Sequence, residues 1–300
     1  MLRLKYQQRD TGLSFALAVC VMIVASLVLS LIFGTEATGW KFWLMQGLYT
    51  VALGSAAFVY AAISKTNFIV ASKIKKAPPY AHFLWGCGAV AFLIACMTPV
   101  NNWLMTAIEK MGFNRPSVDL EDNIVGLIVV ACLLPCFTEE MLFRGTIAQG
   151  HAESHNLLAA IALNGALFAL FHANPAQTVH QFVLGAFMTL LVYRSGSLWT
   201  SIIVHFFNNV AVVVLSYTPI GADEFWIKWQ CVLFAVGLVG FALCVFGYLK
   251  TTKSVRDISD SDSEQNNTAS TEGGNTTQSN VALIVAIVVC ALLWIMNLFN

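Results

Sequence analysis

Residues 13–33 read LSFALAVCVMIVASLVLSLIF, an apolar run without a single charged side chain. The hydrocarbon core of a bilayer is about 30 Å thick and takes about 20 residues of helix to cross, so this stretch is a membrane span. Arg3, Lys5 and Arg9 precede it, but the run is too long for a signal-peptide core and lacks a small-residue cleavage site, so it reads as a retained first helix. Comparable runs recur at 42–63, 83–104, 124–150, 156–172, 177–193, 197–217, 225–249 and 281–299. The expected fold is all-α, a polytopic transmembrane helix bundle of about eight to nine membrane-spanning helices.

Composition agrees. The 300 residues are 58% hydrophobic and 11% charged, against roughly 25% charged in a soluble domain, which excludes a water-soluble fold. Formal net charge is zero, so no global basic field argues for nucleic acid. All eight cysteines lie in apolar runs, where a thiol behaves as a small buried hydrophobe, and no disulfide framework is implied. Cys132 and Cys136, one helical turn apart, lack a second ligand pair and read as packing.

Basic residues in short loops favour the cytoplasmic side. With the N-terminus inside, Arg3, Lys5, Arg9, Lys65, Lys73, Lys75, Lys76, Arg194, Lys250, Lys253 and Arg256 fall inside, and Lys41, Lys110, Arg115 and Lys228 fall outside. From Asp257 to Asn280 the chain is nearly all polar, too poor in apolar side chains to bury a core, and reads as a disordered linker. Its glycosylation-type triplets at Asn266 and Asn275 fall on the cytoplasmic side in this orientation, where they are chance matches. The helix beyond it reads as a tethered appendage. No internal repeat is seen, which disfavours inverted-repeat transporters.

Ionisable groups within a spanning helix are costly, so each is a functional candidate. Three places stand out. In the fourth span, Glu139 and Glu140 are followed by Arg144. Glu140 and Arg144 are spaced i, i+4 on one helix face and suit an ion pair, whereas Glu139 is rotated about 100° away and lacks that cation. A buried carboxylate without a cation holds its proton more tightly, which suits a general base. The other reading is a structural clamp with Glu139 facing a water pocket. Pro135 removes a helix hydrogen bond four residues before Glu139 and either kinks the helix or is simply tolerated there. In the fifth span Asn164, Phe168 and His172 form one stripe. In the seventh, His205 and Asn209 share a face, which serves packing or function alike. Measured from a turn near Ser154, Glu139 and His172 differ in depth by about 5 Å, and His205 lies about 15 Å into its helix.

Glu139-Glu140-x-x-x-Arg144, Phe168-x-x-x-His172 and His205-x-x-x-Asn209, in that order on successive helices, resemble the CPBP (Abi) family of type II CAAX prenyl endopeptidases, which includes the eukaryotic Ras-converting enzyme. The resemblance covers roughly residues 120–215. It implies an intramembrane endopeptidase in which Glu139 and His172 activate a water, His205 and Asn209 donate to the oxyanion, and Glu140 and Arg144 support the helix. The family has been described both as glutamate-type and as metal-dependent. The expectation here is no cofactor; in the metal-dependent alternative Glu139, His172 and His205 would ligate zinc. On this reading residues 1–119 are N-terminal transmembrane helices, 120–250 the catalytic core, 251–280 the linker and 281–300 a C-terminal span. The expected partners are the lipid bilayer and a membrane-associated protein or peptide substrate, in a bacterial plasma membrane with a cytoplasmic N-terminus. The rival readings are a non-catalytic bacteriocin self-immunity or regulatory protein on the same scaffold, and a proton-coupled transporter.

Overall fold

A computed structural model describes residues 2–35, 37–78, 80–113, 123–152, 156–218, 223–253 and 276–299. The described chain is helical, with α1 Gln8–Phe33, α2 Trp40–Ile63, a short α3 Phe68–Ala71, α4 Tyr80–Lys110 and α5 Ile124–His151. There follow α6 Leu157–Phe171, α7 Thr178–Ser195, α8 Leu198–Ser216, α9 Asp223–Thr251 and α10 Thr276–Met296. Eight of these are long and apolar enough to cross a membrane, and α6 is the shorter exception with 15 residues. At 1.5 Å per residue α6 is about 22 Å long, short of the hydrocarbon thickness. Of the nine expected spans, the fifth is therefore the one that falls short.

Its early stop has a local cause. Pro175 cannot continue a helix and restricts the residue before it. The chain turns at Ala173, which takes the left-handed conformation with φ 46°, at a cost of roughly 1–2 kcal/mol for a residue with a Cβ. Asn174 then caps a single 3₁₀ turn, Pro175–Gln177, by accepting from the Ala176 N–H at 3.0 Å, and α7 leads back. The α6–α7 hairpin closes tightly because Gly165 and Gly185 face each other: a Cβ on Gly165 would lie 2.8 Å from the Phe182 carbonyl oxygen. Small residues allow such close backbone approach between membrane helices.

α1 begins upstream of its apolar run. The Asp10 side chain accepts the Gln7 N–H at 2.7 Å, which caps the first turn. Asp10 is itself buried, ion-paired to Arg3 at 3.1 Å and bonded by the Tyr60 hydroxyl at 2.7 Å, so the basic N-terminal segment is stitched to the end of α2. Side chains such as Leu31, Ile32, Val239 and Leu243 are exposed on the outer surface, while Glu140, Arg144, Asn164 and Thr189 are buried. That inverted polarity suits a lipid surround. One core cluster joins Phe15 of α1, Phe143 of α5, Phe168 and Phe171 of α6, and Ala286 and Cys290 of α10. The C-terminal helix is thus packed into the bundle rather than hanging from it. All eight cysteines are free. The polar tail, with Asn266 and Asn275, lies outside the described residues apart from its last few, and α10 already begins at Thr276.

Candidate active site

The helix that carries Glu139 and Glu140 is irregular. Residues Leu127–Leu133 and Phe143–Ile147 are π-helical, and the α-helical segment Leu134–Leu142 sits between them. Widened turns of this kind concentrate at functional sites because they re-aim side chains. Pro135 has no N–H to give the carbonyl four residues back. That carbonyl, Ala131, accepts from Asn209 Nδ2 at 3.2 Å. Asn209 Nδ2 is therefore tied to α5 at the Ala131 carbonyl and also reaches Cys136 Sγ at 3.9 Å, and its Oδ1 accepts from Asn208 at 3.0 Å.

The two neighbouring glutamates have separate surroundings. The side chains of Glu140 and Arg144 are both 0% exposed and meet at 2.8 Å. The same Glu140 oxygen, Oε1, lies 2.8 Å from His205 Nδ1. Arg144 also donates to the Gly185 carbonyl at 3.1 Å and stacks over the Phe168 ring at 4.2 Å from its centroid. Glu139, with 18% of its side chain exposed, instead faces a cavity of about 430 Å³ between α4, α5, α7 and α8. There its Oε2 lies 3.7 Å from His172 Nε2.

His172 is held by its own helix. Its Nδ1 is 2.8 Å from the Phe168 carbonyl, which can only accept, so Nδ1 carries the proton and Nε2 is left as the acceptor in the neutral ring. The Phe168 ring packs beneath the imidazole, 4.4 Å between centroids, with Arg144 against the same ring. The spacing Phe168-x-x-x-His172 thus places an aromatic spacer between the buried ion pair and the imidazole. By the same reasoning the Glu140 carboxylate fixes His205 Nδ1 as protonated, and Nε2 is the nitrogen available to the cavity that His205 lines.

The structure thus brings Glu139, His172, His205 and Asn209 to the wall of one cavity, with Glu140 and Arg144 behind it. It adds residues that the sequence reading passed over. His180 and Gln181 of α7, Asn101 of α4 and Asn208 of α8 also line the cavity, and His180 Nε2, Gln181 Oε1, Asn101 Oδ1 and Asn208 Oδ1 are buried without a protein partner. The rule that singled out Glu139 also finds His180, an ionisable group inside an apolar span. The zinc alternative fits less well. Among the described residues no group of three or more His, Cys, Asp and Glu gathers closely enough to hold an ion, so Glu139, His172 and His205 would have to move together to form one.

A partly exposed carboxylate beside an accepting imidazole, with polar groups lining the same half-open cavity, is a constellation suited to hydrolysis. Residues 121–211 match the family model described as type II CAAX prenyl endopeptidase Rce1-like, and this stretch includes both glutamates, both histidines and Asn209. No curated protein and no solved structure matches the chain.

Proposed function

We propose that this integral membrane protein, whose residues 121–211 match the Rce1-like family model of type II CAAX prenyl endopeptidases, is an endopeptidase that cuts a membrane-associated protein or peptide by a water activated between Glu139 and His172. The observation that carries the reading is the 3.7 Å separation of Glu139 Oε2 and His172 Nε2 beside the cavity. That distance is too long for a direct hydrogen bond and Oε2 is buried without a partner, a deficit that a water standing about 2.8 Å from both atoms would make good.

In the proposed reaction the water gives one hydrogen bond to Glu139 and one to His172 Nε2. Its oxygen attacks the peptide carbonyl carbon as Glu139 takes the proton. The carbonyl oxygen becomes an oxyanion, and its donors are Asn209 Nδ2, which gives up its weak 3.9 Å contact with Cys136 Sγ for it, and the Nε2–H of His205. That role for His205 requires the doubly protonated ring, since its neutral form with Nδ1–H on Glu140 has only an acceptor at Nε2. Glu140 thus acts on the reaction through His205 as well as through Arg144. When the carbon–nitrogen bond breaks, Glu139 returns its proton to the leaving amine. Each oxyanion donor is worth about 3 kcal/mol in the transition state.

The test is cleavage by purified protein of a set of prenylated and unprenylated C-terminal peptides, followed by mass spectrometry. Wild type should cut at least one peptide at a defined bond, and Glu139→Gln and His172→Ala should each lower the rate by about 10²- to 10⁴-fold. Cleavage that persists at the wild-type rate in Glu139→Gln would refute the mechanism. Comparing the two peptide sets decides whether a prenyl group matters.

A further inference from the structure

The C-terminal helix lies outside the family-matched segment, yet it reaches the turn that follows His172. At its start α10 is seated closely on α1, where a Cβ on Gly12 would lie 2.2 Å from the Ser279 carbonyl oxygen. Midway, Ala286 and Cys290 join the cluster that contains Phe168 and Phe171. At its end two side chains reach across to the α6–α7 turn. Trp294 Nε1 donates to Thr178 Oγ1 at 2.7 Å, and that hydroxyl in turn donates to the Asn174 carbonyl at 2.8 Å. Asn297 Nδ2 donates to the Ala173 carbonyl at 2.7 Å.

These bonds fall where the turn needs them. Ala173 holds a left-handed conformation that an L-residue with a Cβ adopts only under constraint. It directly follows His172, whose imidazole is tied to its own helix through Nδ1 alone. If Ala173 relaxed, the peptide after His172 would rotate and the imidazole would swing relative to Glu139. We infer that Trp294 and Asn297 are positioning residues, and that α10 is a C-terminal clamp that holds His172 Nε2 beside Glu139. The catalytic consequence rests on the peptidase reading; the mechanical one does not.

The test uses the full chain with Asn297→Leu, which keeps the volume but removes the donor, and Trp294→Phe, which keeps an aromatic ring but removes the N–H. Asn297→Gln serves as the conservative variant that retains an amide donor. The first readout is the rate at which diethyl pyrocarbonate modifies His172, followed by mass spectrometry, with His82, bonded to Tyr248 at 2.9 Å, as the internal reference. His172 should react several-fold faster in Asn297→Leu and Trp294→Phe, with His82 unchanged and Asn297→Gln near wild type. The second readout is kcat against KM. A misplaced imidazole should lower kcat by about ten- to a hundred-fold and leave KM within about twofold. Unchanged His172 reactivity in both variants overturns the clamp, whatever the activity does. Raised reactivity with unchanged kcat overturns its catalytic role. Raised reactivity in a protein that cleaves no peptide leaves the clamp standing and rejects the peptidase reading.

Discussion

Glu140→Gln removes one charge from a pair that has no contact with solvent. Glu140 and Arg144 are each 0% exposed and 2.8 Å apart, and what remains around Arg144 is the Gly185 carbonyl at 3.1 Å and the Phe168 ring at 4.2 Å. Neither of these contacts carries a negative charge, and Glu139 acts on Arg144 only at longer range. Breaking a buried pair from one side costs about 3–5 kcal/mol, because it leaves an uncompensated ion. With a melting shift of roughly 2–4 °C per kcal/mol for a chain of this size class, Tm should fall on the order of 10 °C. Glu139→Gln should behave differently, since its carboxylate has no cation at hydrogen-bonding distance and is partly open to the cavity. Its melting temperature should stay within a few degrees of wild type while peptide cleavage is lost. Thermal melts of the three proteins in one detergent make the comparison. A double variant, Glu140→Gln with Arg144→Met, separates lost charge balance from lost shape: removing both ions should restore much of the stability. The reasoning is refuted if Glu140→Gln melts with wild type, or if the double variant is less stable than Glu140→Gln alone.

Three further expectations rest on other contacts. Asn209→Leu strips a donor from the Ala131 carbonyl and should cost about 1 kcal/mol of stability and about 10²- to 10³-fold in cleavage, measured by melting and by rate on the same preparation. Gly185→Ala puts a Cβ 3.0 Å from the Phe168 Cβ and ring, so it should cost about 1–3 kcal/mol and lower kcat by displacing the spacer between Arg144 and His172. The orientation read from basic residues puts the exposed Lys75 in the cytoplasm, so a Lys75→Cys thiol should resist a membrane-impermeant reagent in intact cells; strong labelling without lysis would invert the topology.

How far the sequence was legible depended on the range of each contact. The Glu140–Arg144 pair and the different surroundings of Glu139 follow from helical spacing alone, and the structure has both. Depth arithmetic brought Glu139 and His172 to within about 5 Å of one level, and their side chains stand 3.7 Å apart. The bond from His205 to Glu140 joins residues 65 positions apart and depends on how α8 rotates against α5, which no local pattern encodes. Asn209 was visible as a polar residue in an apolar span, but its contact with Ala131 depends on Pro135 in another helix. The α10 clamp was illegible for the same reason, since Asn297 lies 124 positions from Ala173. His180 and Gln181 were within reach of the rule that marks polar groups in membrane helices and were passed over because they belong to none of the three motifs.

The π-helical stretches that flank the paired glutamates give the site a tolerance to chain length that ordinary helix lacks. A widened turn stores about one surplus residue, and an α-helix advances about 100° per residue. Deleting a single lipid-facing residue such as Val129, which is 40% exposed and lines no part of the cavity, would let the segment before Leu134 tighten into ordinary α-helix and absorb the loss, leaving Glu139 and Glu140 near their present phase. A deletion between Leu134 and Glu139, where the helix is ordinary α with no surplus to give up, would instead turn Glu139 away from His172 and take Glu140 out of alignment with His205. The phase of that one helix is thus as much a part of the site as the carboxylates, and a one-residue deletion in its α-helical segment should silence the protein where the same deletion in the widened turn is tolerated.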